Sequence, residues 1–257
     1  IIDDVAKRVP SGWQDQGENL YLLGTTREEL DGSAWAGTVH SHLGGTPPTV
    51  DLAGERRLAE LLQAGVQGER ISAAHDLSDG GLAQALVDAT LRFGVGARVW
   101  LGEIMERDGV DATCALFSES QGRVLVSVPR EEDVKFRGLC EGRNYPVLRV
   151  GVTDGTGVDA ALEVQDQFTI TLGELAGAHR GTLPERFGAA GYEAIAPSMY
   201  DRAAPGFIVQ PPDVAAGMAK GRELAMGNGQ DNAMNDVGGV FDVLSKSGKV
   251  FITGYCY

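Results

Sequence analysis

Residues 71–93 constrain the fold more than any other stretch. A short apolar run, Ile71-Ser72-Ala73-Ala74, leads through His75-Asp76-Leu77-Ser78-Asp79-Gly80-Gly81-Leu82 into a helix-periodic segment. Leu82, Leu86, Ala89 and Phe93 recur at spacings of four, three and four, while Gln84, Asp88 and Arg92 fall on the other face. That pattern predicts strand, tight loop and amphipathic helix, with the helix starting at Gly81. The first turn of a helix leaves backbone N–H groups without partners and carries roughly half a positive charge. Glycines Gly80 and Gly81 would let a phosphate approach those groups. Asp76 and Asp79 would repel it unless a magnesium ion bridged carboxylate and phosphate, with Ser78 beside them. The other reading is a plain helix start, capped by Ser78 or Asp79 and turned by the glycines. The residues leave both open.

The rest of the first 188 residues alternates short strands with helices. Leu20–Gly24 reads as a buried strand, Thr26–Leu30 as a helical turn capped by Thr26, and Gly32–Pro48 as loop with a brief strand. Asp51 caps a helix whose apolar face holds Leu58, Leu61, Leu62 and Val66, with Arg56 and Glu60 paired at i,i+4. Strands are expected at Val99–Leu101, Cys114–Phe117, Arg123–Val128, Val147–Val152, Ala161–Val164 and Gln167–Leu172. Helices are expected at Glu131–Cys140 and from Leu175 onward. Such interleaving predicts an α+β domain of mixed α/β layers, a mixed sheet with packed helices. After Gly188 the periodicity weakens and Pro and Gly scatter, so residues 189–257 form an unassigned extension.

Charge narrows the function. With 257 residues and a net charge of −14, the chain lacks the cationic excess that nucleic acid or an anionic membrane requires. Three separated cysteines, Cys114, Cys140 and Cys256, suggest neither a disulfide framework nor zinc, and imply a reducing cytoplasm. Ile1-Ile2-Asp3-Asp4 is no signal peptide and reads as the start of a piece cut from a longer chain.

Two further clusters stand out. Ser118-Glu119-Ser120-Gln121-Gly122-Arg123 offers donors and acceptors that suit a sugar or an amide, or else forms a polar turn with Arg123 paired to Glu119. His40-Ser41-His42 would aim two imidazoles the same way on a strand, but without acidic or thiol neighbours. Walker, dinucleotide and nucleophile-elbow motifs are absent, so those chemistries have no support.

Taken in order, Gly17-Glu18-Asn19-Leu20-Tyr21-Leu22-Leu23-Gly24, Ala74–Ala83 and Leu116–Arg123 resemble phosphoribosylformylglycinamidine synthase, in the last quarter of its large subunit. Gly151-Val152-Thr153-Asp154 and Leu183–Gly188 resemble that subunit's closing segments. The resemblance implies a C-terminal domain like that of aminoimidazole ribonucleotide synthetase over residues 17–188, with residues 1–16 ending a preceding nucleotide-binding domain. It implies an ATP- and Mg2+-dependent ligase of purine biosynthesis. That enzyme converts formylglycinamide ribonucleotide to its amidine with glutamine-derived ammonia. It also implies a glutaminase subunit and a small accessory subunit as partners, and a ribonucleotide substrate.

No catalytic residue is carried over by the resemblance. Asp76, Ser78, Asp79, Gly80 and Gly81 are phosphate or metal candidates, and Glu119, Ser120 and Gln121 belong to a duplicated, non-catalytic copy of a substrate loop. The isolated chain is expected to be inactive. Two other functions remain: a scaffold that docks the glutaminase, and another ATP-dependent member of the superfamily that phosphorylates a small molecule. An open cleft at Asp76 and Asp79 is expected of a ligand site, and capping aspartates of a scaffold.

Overall fold

Burial along the central strands shows how the chain builds a three-layer domain. In the computed structural model, which describes residues 5–157 and 160–179, strand β1 (Asn19–Leu23) is buried on both faces. Leu20 and Leu22 enter one apolar cluster and Tyr21 and Leu23 the other, as the two-residue side-chain period of a strand dictates. Strand β4 (Val124–Val128) does the same, with Leu125 on the first side and Val124, Val126 and Val128 on the second. Continuous apolar runs in both strands follow from this two-sided burial.

Seven strands form one mixed sheet. With β2 (Ala73–Asp76), β3 (Val95–Val99), β5 (Val147–Thr156), β6 (Ala161–Val164) and β7 (Phe168–Thr171), the order is β2-β4-β1-β5-β3-β6-β7. All neighbours are antiparallel except β3 and β6. Helix α3 (Gly81–Phe93), α4 (Gly102–Asp108) and α5 (Ala112–Phe117) supply the first cluster. Helix α2 (Leu52–Gln67) and α6 (Asp133–Glu141) supply the second. Burying each large aliphatic side chain contributes roughly 1.5–3 kcal/mol, so both layers hold the sheet. Short helix α1 (Ala34–His40) stands on an excursion between β1 and α2. Residues 172–179 are helical, as read from Leu175.

The chain divides into two compact units, the first running from Ile1 to Leu175 and the second from Ala176. Two anchors cross the boundary expected after residue 16: Trp13 is buried with its Nε1 donating to the Val95 carbonyl at 2.8 Å, and the Ala74 N–H donates to the Pro10 carbonyl. The extension expected at residues 189–257 lies outside the described residues.

Several elements differ from expectation. Cys114–Phe117 lies in helix α5, because Asp111 caps it by accepting from the Cys114 N–H. Gly32–Pro48 holds helix α1 rather than a strand, capped by Ser33. His40 therefore ends a helix, and Ser41 follows in the left-handed region, so the two imidazoles share no strand face. Thr26–Leu30 is not helical, because its first groups are held from elsewhere in the domain. Strand β3 begins at Val95 and ends at Val99, and β2 shifts forward to include His75 and Asp76. The caps and pairs read at Asp51 and at Arg56–Glu60 are observed, the latter at 3.1 Å.

Candidate functional site

The two motif loops meet at the start of α3. Its N-cap is Gly80, in the left-handed region at φ +77°, and neither Ser78 nor Asp79 caps it. The cap instead comes from Glu119, 39 residues away, whose Oε1 accepts from the Gly80 N–H at 2.7 Å. The same oxygen accepts from the Ala34 N–H of α1 at 2.8 Å. Glu119 thus places a carboxylate where the sequence suggested a phosphate, and joins two helix starts. A carboxylate here is favoured by the dipole as any anion would be. Gly81 lies at φ +61°, and a Cβ there would overlap the Ser118 carbonyl oxygen. The close approach that the glycine permits is to the chain's own loop.

Arg123 fixes that loop from beneath. It is buried, donating from Nε to the Ser120 carbonyl at 2.9 Å, from Nη1 to Thr26 Oγ1 at 3.0 Å, and from Nη2 to the Ser118 carbonyl. Burial pushes its pKa down to about 10, still high enough to keep the guanidinium charged. Arg123 therefore organises carbonyls, and its expected pairing with Glu119 is replaced by these three bonds. Ser118 and Ser120 are also buried, their hydroxyls 3.0 Å apart, with Ser118 Oγ donating to the Arg27 carbonyl and Ser120 Oγ accepting from the Arg27 N–H. Asp108 at the end of α4 receives the Thr26 N–H and pairs with Arg107.

The remaining candidates face outward. Asp76, Ser78 and Asp79 are exposed, with Asp76 Oδ1 3.7 Å from His75 Nδ1. His75 is largely covered, its Nε2 3.7 Å from Asp88 Oδ2. The Asp88 carboxylate is the main reason its pKa is raised, against the opposing effect of burial. Gln121 and Gly122 of the loop reach a cleft of about 100 Å³, which Arg27, Asp51, Glu55, Arg57 and Tyr145 also line. The Tyr145 hydroxyl donates to the Gly122 carbonyl, and burial raises its pKa to about 12. Asp76 and Asp79 neither cap the helix nor line this cleft, so the arrangement matches neither expected outcome.

Among the described residues these donors do not by themselves form a closed cage for a metal ion. Among the described residues no three His, Cys, Asp or Glu side chains converge, and the N-cap N–H of α3 has its own carboxylate. Burial raises the Cys114 thiol to about 11 and Cys140 to about 12, which leaves both poor nucleophiles. Thr26, Arg27, Asp108 and Tyr145 all carry part of the geometry that the motifs did not reveal. Only Thr26 had a sequence signal, and it pointed to a local cap.

A family profile described as AIR synthase related protein, C-terminal domain, matches residues 15–162. The chain belongs to this family. The motif resemblance is borne out as well: a protein named phosphoribosylformylglycinamidine synthase subunit PurL from Leifsonia xyli is 70% identical over 189 residues, covering 73% of this chain and 24% of that protein. Its namesake from Renibacterium salmoninarum is 55% identical over 188 residues, with the same 73% and 24% coverage. The chain therefore spans about a quarter of the length of these curated relatives. Thermotoga maritima PurL complexed with FGAR shares the fold, with a TM-score of 0.57 at 19% identity over 67% of this chain and 30% of that one. The same PurL complexed with ATP aligns at a TM-score of 0.52 and 18% identity, over 67% of this chain and 28% of that one. The mixed sheet with packed helices is thus the AIR synthase C-terminal fold. No helix among the described residues is long and apolar enough to cross a membrane.

Proposed function

We propose that this chain is the C-terminal domain of the large subunit of a phosphoribosylformylglycinamidine synthase, and that it is the non-catalytic half. The enzyme would be a cytoplasmic carbon–nitrogen ligase of purine biosynthesis that makes the amidine from formylglycinamide ribonucleotide. ATP and Mg2+ would act in the full subunit, with a glutaminase and a small accessory subunit as partners. The observation that carries the reading is the 70% identity over 189 residues to a protein bearing that name. A solved PurLQS from Thermotoga maritima shares the fold, at a TM-score of 0.51 and 20% identity over 67% of this chain and 28% of that one, which suits a subunit of an assembly.

Local chemistry supports the non-catalytic part. Glu119 supplies the anion at the start of α3, while Ser118, Ser120 and Arg123 bind one another and the Thr26–Glu29 segment. In this reading Glu119, Ser120 and Gln121 form a pseudo-site, and Asp76, Ser78 and Asp79 form an exposed loop without a reacting partner. The domain contributes shape and surface, which also accommodates a scaffold role toward the glutaminase.

The test is a chimera in which this chain replaces the matching C-terminal quarter of the Leifsonia xyli subunit. Supplied with its partners, formylglycinamide ribonucleotide, ATP, Mg2+ and glutamine, it should form the amidine. A folded but inactive chimera would overturn the family role. Asp76→Asn with Asp79→Asn in that chimera should leave kcat within about twofold. A loss of a hundredfold, about 2.7 kcal/mol of transition-state stabilisation, would make the loop catalytic instead. The isolated chain should release no phosphate from ATP above buffer.

A further inference from the structure

Residues 33–50, Ser33 to Val50, contain no Asp, Glu, Lys or Arg, in a chain that is 23% charged with a net charge of −14. This is the excursion that carries α1, and nearly all of Thr38–Val50 faces solvent. Four of the five large apolar side chains exposed among the described residues lie on it or at its end: Val39 at 60%, Leu43 at 85%, Val50 at 58% and Leu52 at 78%. Soluble domains tolerate single exposed apolar residues, but their concentration on one segment, three of them within the uncharged stretch itself, points to a contact surface.

The excursion is held in place at both ends. Glu119 Oε1 accepts from the Ala34 N–H, Asp31 Oδ2 from the Thr46 N–H at 2.9 Å, and Glu29 Oε1 from the Thr49 N–H at 2.8 Å. Trp35 anchors α1 by stacking on Phe117, ring centroids 6.2 Å apart. Ordering a loop costs conformational entropy, and nothing in the domain's own core is gained by holding Leu43 in water. Three carboxylates and the Trp35 stack thus fix a strap that leaves Val39, Leu43 and Val50 exposed.

We propose that this strap is the face on which the rest of the synthetase subunit packs, through an uncharged apolar surface of that longer polypeptide. The inference rests on the proposed family role, in which about three quarters of the subunit lies outside this chain. An acidic domain can bring this one region against another protein without charge repulsion, so the contact should depend little on salt.

Hydrogen exchange and thermal melting test it, on the free chain and on the Leifsonia xyli chimera described above. Amides of residues 38–50 should exchange at least tenfold more slowly in the chimera. Leu43→Asp should lower the melting temperature of the chimera by several degrees and leave that of the free chain unchanged. Val134→Asp, which alters the exposed apolar side chain on helix α6, outside the strap, should change neither. Equal exchange in both proteins, or an equal Leu43→Asp effect in both, overturns the proposal. So does self-association of the free chain that Leu43→Asp abolishes, since the occupant would then be a second copy. An active chimera with an unprotected strap would sink this inference alone. A protected strap in an inactive chimera would sink only the ligase reading.

Discussion

The loop at Ser118–Arg123 and the loop at Asp76–Asp79 carry similar sets of polar groups, yet the first buries three of its polar side chains and the second exposes all of its own. Ser118, Ser120 and Arg123 are buried and bonded to each other and to the Thr26–Glu29 segment. Asp76, Ser78 and Asp79 are exposed. A dense polar motif therefore has two opposite physical meanings. Where it is buried, each group must find an internal partner, because an unpaired buried polar group costs about 1–3 kcal/mol. Where it is exposed, water satisfies it and neighbours are optional.

The sharpest way to break this contrast is Arg123→Met. It leaves two carbonyls and the Thr26 hydroxyl without their donor, and should cost about 3–5 kcal/mol in urea unfolding. A cost below about 1 kcal/mol would mean that the loop is not held from beneath. Next comes Gly81→Ala, which forces a side chain into the left-handed region and against the Ser118 carbonyl. About 2–3 kcal/mol is expected by the same measurement. Glu119→Gln keeps an acceptor but removes the charge at two helix starts, so about 1 kcal/mol is expected. Faster exchange of the Gly80 and Ala34 amides would confirm the route.

The smallest effect belongs to His75, the largely covered residue that leads into the exposed loop, and depends on pH. Asp88 raises the pKa of His75 in the folded state above its ordinary value near 6.5. The resulting stabilisation is fully present below that ordinary value and is lost as pH rises through the raised one. Wild type should exceed His75→Gln in stability at pH 5.5, and the gap should close by pH 8.5. A gap that widened with pH would reverse the assignment.

What could be read in advance followed from local cause. Helices α2 and α3 announced themselves because their apolar period and, at Asp51, their cap lie within a few residues. Strands β1 and β4 were legible from unbroken apolar runs. Cys114–Phe117 was not, since four apolar residues suit a buried strand or a buried helix equally, and only Asp111 tips the choice. Helix α1 was hidden for a different reason: its seven residues lack a clear apolar period, and beside the local Ser33 cap its start is completed by Glu119, 85 residues away. The same distance problem hid the site. The glycines signalled a close approach correctly, but nothing local said that the approaching group was the chain's own Ser118–Glu119 loop.

The sheet order also has a consequence for synthesis. Strand β1 emerges first but sits in the middle, pairing Asn19 with Val128 of β4 and with Val152 of β5. At roughly 5–20 residues per second, a ribosome needs on the order of ten seconds to deliver those partners. For that interval Leu20, Leu22 and Leu23 have no sheet to join, so the nascent domain should be a client for chaperones. Release of the chain before β5 would leave its central strand open on one edge, primed to aggregate.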